Sequence, residues 1–242
     1  MSTPSFTADE LHTRDIGTRK LLTRLLMFAI IMFFAGLTSA YVVSMSGGYW
    51  TRITMPTAFY WSTAFVLLGS LTVHMALVSA RQGNARMIAP LLVATLALGI
   101  GFAGSQFNGW KDLTSKGITW SPNKLEGLGG TYGVDFTITK DGRTLVPRDG
   151  HWYAADDTAL NKQLDADIAE QRDRTGPYLY TLTLAHLAHL FFGLVAILVM
   201  IVMALQGKYT PKDNVGLWAG AVYWHFLGVL WVYLLLFLTF VH

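Results

Sequence analysis

Residues 217–241 carry no Asp, Glu, Lys or Arg, and the run is long enough to cross a bilayer. At about 1.5 Å per residue, His225 stands about 12 Å inside its start, too deep for a short side chain to reach the interface. Trp224 and Trp231 are seven residues apart and share a helix face, with Gly228 between them. A bulky-small-bulky face suits a neighbouring helix better than lipid, because glycine lets backbones approach. Four further stretches reach bilayer length, at 21–44, 58–78, 89–107 and 179–205.

The composition agrees: the chain is 52% hydrophobic and only 14% charged, well below the roughly 25% of soluble domains. Its formal charge of +3 is too small to argue for nucleic acid. With no cysteine, it can supply no disulfide, iron–sulfur or thiolate metal site. The polar stretch 1–15 has no apolar segment before a small-residue cleavage site, so no removable signal peptide is expected.

Basic residues set the expected orientation. Arg14, Arg19, Lys20 and Arg24 surround the start of the first span; Arg81 and Arg86 separate spans two and three; Lys208 and Lys212 separate spans four and five. The remaining short loop, 46–57, has only Arg52. Short basic loops stay cytoplasmic, which places the N-terminus inside and His242 outside. Spans two and three, and spans four and five, are expected to be antiparallel neighbours because their connections are short.

The outer segment 108–176 holds most of the carboxylates. Residues 134–139 alternate with period two, Lys140-Asp141-Gly142-Arg143 signals a turn, and Thr144-Leu145-Val146 returns. This predicts a small β-hairpin. A polar helix over 158–173 should follow, capped by Asp157 or Thr158, with Pro177 in the first turn of the fourth span. The expected fold is an all-α polytopic membrane protein with five transmembrane helices. A small periplasmic β-hairpin and helix insertion lies between helices three and four. The divisions are a cytoplasmic tail at 1–20, helices one to three at 21–107, the insertion at 108–176, and helices four and five at 177–242. An insertion this small is expected to rest on the membrane domain or on a partner.

No carboxylate lies inside a span, which counts against a stand-alone pump or transporter. The polar set inside the spans is His74, Gln106, His186, His189 and His225. His186 and His189 are three apart and should point to one side of the fourth helix, with Gly193 following. They can bind a metal or haem, or they can make interhelical hydrogen bonds as neutral imidazoles. Two histidines on one helix face cannot be the opposed axial ligands of one haem. They also sit at a different depth from His74 and His225, so only His74 with His225 remains as a bis-histidine pair. Aromatic residues at the span ends, among them Tyr49, Trp50, Tyr60, Trp61 and Trp110, read as an interfacial belt. Gly99, Gly101 and Gly104 read as close helix packing. Asp149-Gly150-His151-Trp152-Tyr153 reads as a solvated loop rather than a cation site.

These residues resemble subunit III of the haem–copper terminal oxidases in its short five-span bacterial form. The run Tyr223-Trp224-His225-Phe226-Leu227-Gly228-Val229-Leu230-Trp231 is similar to the family's final helix. His186-Leu-Ala-His189-Leu-Phe-Phe-Gly193 is similar to its His-x-x-His-x-x-x-Gly signature. Leu98-Gly99 followed by Gln106 resembles its third-span pattern, and Phe33-Phe34 matches more loosely. There are departures. Ile30 stands where relatives carry a buried Glu, and Gly228 where relatives often carry Asp. The long outer insertion is not a general family feature, and the two extra N-terminal helices of longer relatives are absent.

The resemblance implies a non-catalytic subunit of cytochrome c oxidase, a respiratory, proton-translocating enzyme of the bacterial inner membrane that passes electrons from cytochrome c to oxygen. It implies haems and copper in partner subunits and no cofactor, metal or catalytic residue in this chain. The main contact would be subunit I, with subunit II and other respiratory subunits reached through 108–176, and with bound phospholipid. Gln106, His186, His189, Gly193, Trp224, His225 and Trp231 would serve packing or lipid contact. A quinol oxidase, a nitric-oxide-reductase-associated relative, and a protein binding haem b through His74 and His225 stay open as alternatives.

Overall fold

A computed structural model describes residues 8–46, 48–122 and 124–241. Residues 1–7 of the tail and His242, which the sequence reading sets on opposite sides, lie outside the described residues. In chain order the elements are α1 (Ala8–Met45), β1 (Tyr49–Ile53), α2 (Thr57–Arg81), α3 (Ala85–Ser115), a 3-10 turn at Leu125–Gly127, β2 (Phe136–Lys140), β3 (Arg143–Arg148), β4 (His151–Ala154), α4 (Asp165–Glu170), α5 (Thr175–Leu205) and α6 (Val215–Phe240).

All five expected spans are helices long and apolar enough to cross a membrane: Thr13–Met45, Thr57–Arg81, Ala85–Ser115, Thr175–Leu205 and Val215–Phe240. This is the build of a multi-pass membrane protein. In a bilayer, a spanning helix satisfies its own backbone hydrogen bonds, which is why these apolar runs fold as they do. In α6 the apolar window is 56% buried, against 22–33% in the other four. The last helix is therefore the most enclosed one, as its tryptophans and glycines predict.

The chain forms two compact units, and each long helix contributes to both. The first comprises Met1–Phe34, Ala64–Gly101 and Ala188–Leu230. Within it, Thr72 and Thr95 join α2 to α3 by a 2.8 Å hydroxyl pair, and the Tyr223 hydroxyl of α6 donates to the His189 carbonyl of α5 at 3.1 Å. The second comprises Ala35–Thr63, Phe102–Leu187 and Trp231–His242.

The second unit contains a four-stranded antiparallel sheet in the order β1-β2-β3-β4. The expected hairpin is its centre. Asp141 and Gly142, both at positive φ, make the two-residue turn between β2 and β3. Asp149 and Gly150 repeat the device between β3 and β4, so the expected loop at 149–153 is a second hairpin. The chain is mostly helical, as expected, and the expected hairpin is part of a larger, four-stranded sheet. The sheet also reaches outside 108–176: β1, from the connection between α1 and α2, pairs with β2 from Tyr49↔Lys140 to Ile53↔Phe136. Alternation over five residues was too short a signal to set against the aromatic-belt reading of Tyr49 and Trp50.

The polar helix expected over 158–173 shrinks to Asp165–Glu170. The cause is local. The Asp157 carboxylate accepts the backbone N–H groups of Asn161 and Lys162 at 3.2 and 2.9 Å, closing a turn, and Leu160 adopts φ +51°. A left-handed leucine ends any helix there. Pro177 does lie in the first turn of α5. The insertion has an apolar cluster of its own, Leu125, Phe136, Ile138, Leu145, Leu164 and Ile168. Charged groups brace it. Lys140 Nζ bonds Asp167 Oδ2 at 2.9 Å and the Tyr49 hydroxyl at 3.0 Å, which raises the Lys140 ammonium and lowers the Asp167 carboxyl from their ordinary values. Asp135 accepts the Thr131 N–H at 2.9 Å and pairs with Lys116 at 3.1 Å, and both hold its carboxyl below the usual range.

Candidate functional site

In the first unit, the motif residues meet at one indole. Trp224 is 1% exposed and lies against glycines of three helices. A Cβ on Gly69 of α2 would stand 3.1 Å from its Nε1, and one on Gly99 of α3 would stand 2.7 Å from its Cη2. A Cβ on Gly193 of α5 would approach Leu227 Cδ1 at 3.1 Å and Trp224 Cε3 at 3.7 Å. These three backbones can come this close only because they carry no side chain. Gly99→Ala is accordingly expected to destabilise the chain by about 2 kcal/mol, since its Cβ would also meet Leu194 Cδ2 at 2.5 Å. Gly220→Ala should be milder, because the atoms in its way are the far end of the flexible Met200 side chain. Thermal unfolding of the two variants in detergent checks the difference; equal losses would refute the packing account.

His189 sits half-buried with its ring 5.5 Å from Phe34 and 6.2 Å from Phe33. The Phe-Phe pair and the second motif histidine are thus brought together. Ile30, where the resemblance would set a Glu, is 5% exposed. Gly228 packs on Val66 and Ser70. His74 of α2 and His225 of α6 do meet, with ring centroids 5.8 Å apart and a 53° tilt. His74 is exposed and His225 half-buried. Neither ring is hydrogen-bonded to another described residue.

In the second unit, His186 is fully buried against Phe102 at 5.7 Å and Trp231 at 5.3 Å. Trp231 is 0% exposed; its edge or face meets Phe59 and Phe102, and its Nε1 donates to Thr63 Oγ1 at 3.0 Å. Gln106 is 1% exposed and donates through Nε2 to Ser62 Oγ at 2.9 Å. Three residues turn an α-helix by about 300°, so the His186 and His189 side chains stand about 60° apart on one side of α5. His186 joins α3 and α6, whereas His189 faces the phenylalanines of α1.

Two participants were not anticipated from sequence. Asp173 is 3% exposed, and its carboxylate oxygens accept the N–H groups of Thr175 and Gly176 at 3.0 and 3.1 Å, capping α5. Burial pushes this carboxyl above its ordinary value, against the pull of those two N–H groups. An acid two residues before an apolar run with Pro177 in its first turn was the available signal. Trp50, expected in the interfacial belt, is buried at 2% with its ring 5.0 Å from Tyr41. Tyr60 and Trp61 are exposed at 51% and 67%, as a belt requires.

The arrangement as a whole locks aromatic rings against glycines and hydroxyls. No family model matches the chain.

Proposed function

We propose that the chain is a non-catalytic subunit of a haem–copper oxidase, of the subunit III kind, that braces the redox-active partner in the membrane. The observation that carries this reading is the fate of the signature residues. Gly99, His186, His189, Gly193, Trp224 and Trp231 go into helix packing and ring stacking. A scaffold needs that and a redox centre does not. Two further features support a subunit role. The exposed His74, beside His225, sets polar rings on a span face where lipid offers no hydrogen bond, which suits a partner helix with a hydroxyl or carboxyl group. An apolar groove of about 640 Å³, lined by Leu26, Ile30, Phe192, Val199, Met200 and Tyr223, suits an acyl chain.

In this reading the complex passes electrons from cytochrome c to oxygen in a bacterial cytoplasmic membrane. The basic loops face the cytoplasm and the sheet faces the periplasm, where it meets subunit II or another respiratory subunit. Haems and copper sit in the partners. The test is purification of the tagged chain from native membranes in mild detergent. A haem- and copper-bearing subunit should co-purify, and the chain stripped from it should carry no Soret band.

The closeness of His74 and His225 favours one second reading, a haem b held by this pair. His225→Ala separates the two: it removes a haem absorbance in the second case and only weakens assembly in the first. A quinol oxidase is separated by the copper-bearing, cytochrome-docking domain of the co-purified partner, which a quinol enzyme lacks.

A further inference from the structure

Pairing of β1 with β2 builds a polar pocket of about 310 Å³ beside the ends of two spans. The register sets Arg52 opposite Thr137, so both side chains rise from one face of the sheet. Tyr60, in the first turn of α2, and Thr239 and Phe240, in the last turn of α6, form the helical wall. The segment before β2 closes the rest. Thr54 donates its N–H to the Asp135 carbonyl at 2.9 Å and its hydroxyl to the Val134 carbonyl at 2.6 Å.

The lining holds one guanidinium and no carboxylate. Arg52 is exposed and forms no ion pair among the described residues. The Thr54 and Thr239 hydroxyls already donate to backbone carbonyls, at 2.6 and 2.7 Å. The Arg52 fork and the Tyr60 and Thr137 hydroxyls are left as donors in the lining. A planar cationic fork with no competing acid selects an oxyanion, and phosphate oxygens match its geometry. The rim decides the kind of phosphate. Tyr60, Val134 and Phe240 are 51%, 66% and 77% exposed, an apolar collar that a soluble anion does not need and an amphiphile does. Span ends are also the level at which headgroups lie.

We propose that this pocket binds the phosphodiester of a phospholipid, with Arg52 on the phosphate oxygens and the chains running along Tyr60, Val134 and Phe240. Anionic lipid is preferred over choline lipid, because the lining has no acid to take a quaternary ammonium. The proposal needs only the chain's membrane setting and stands apart from the oxidase reading.

The test uses the full chain in nanodiscs of equal phosphatidylglycerol and phosphatidylcholine, released into native mass spectrometry. Wild type should retain phosphatidylglycerol preferentially. Arg52→Gln should cut that retention about fivefold, as loss of one basic contact at an anionic surface implies. Tyr60→Phe, which keeps the ring, should cut it about two- to threefold. Arg148→Gln makes the same charge change at an exposed strand position outside the pocket and should leave retention unchanged. Equal losses in Arg52→Gln and Arg148→Gln would mean diffuse attraction and overturn the site, as would no loss in Arg52→Gln. In lipid-free detergent, saturable inorganic phosphate binding that vanishes in Arg52→Gln, together with no lipid preference in nanodiscs, would overturn the lipid assignment.

Discussion

Trp231→Ala is expected to lower the stability of the chain by about 3–5 kcal/mol, the range for removing a fully buried large aromatic. The indole touches Phe59, Phe102 and His186 and gives its N–H to Thr63. Helices in lipid gain little from excluding water from one another, so what the variant loses is close contact and the stacking geometry. The void also leaves the His186 ring without the Trp231 ring packed against it at 5.3 Å. Trp61→Ala supplies the control: that ring is 67% exposed, and its loss should stay within about 0.5 kcal/mol. Reversible unfolding in mixed micelles, read by circular dichroism, checks both. A Trp231→Ala loss as small as that of Trp61→Ala would show that the aromatic cluster is not what holds this unit together.

Asp173→Ala should be the next most damaging change, at about 3 kcal/mol, because it leaves the N–H groups of Thr175 and Gly176 buried and unpaired. Asp173→Asn keeps an acceptor and should lose much less. The two variants also separate charge from capping. Burial raises the folded-state carboxyl above its ordinary 3.8. A raised carboxyl binds its proton more tightly in the folded chain, so its contribution is fully present below pH 3.8 and is lost as pH climbs through the folded value. Asp135, Asp157 and Asp167 act in the opposite sense. Their carboxyls are lowered, by the Thr131 N–H, the Lys162 N–H and Lys140 respectively, so their contributions hold above pH 3.8 and fade as pH falls below it. Unfolding followed from pH 7 down to pH 4 should therefore show wild type gaining on Asp173→Asn as the pH falls. Parallel curves would refute the buried-acid account.

The membrane part was legible because lipid allows so few solutions. Apolar length names the span, and the glycines at 99 and 193 and the indoles at 224 and 231 name the packed faces. Depth along a helix left His74 and His225 as the one histidine pair that could meet, and their rings lie 5.8 Å apart. The sheet was legible only in part. Asp141-Gly142 announces its turn without reference to anything distant, whereas β1 is a strand because of β2, and five residues are too few for alternation to show it. The short α4 was misjudged for a related reason: Asp157 reads as a cap in sequence, yet its carboxylate folds the next residues into a turn. For His186 and His189 the spacing gives an angle and says nothing about which rings fill it: Phe102 and Trp231 beside the first, Phe33 and Phe34 beside the second.

The union of β1 with β2 also dictates an order of events. Tyr49–Ile53 is made about eighty residues before the segment it zips to, and the chain must form α2 and α3 in the interval. Through that delay the strand's donors and acceptors stand open to whatever else is nearby, and closing so long a loop adds an entropic toll. The sheet can therefore be completed only after both intervening helices and β2 have been made.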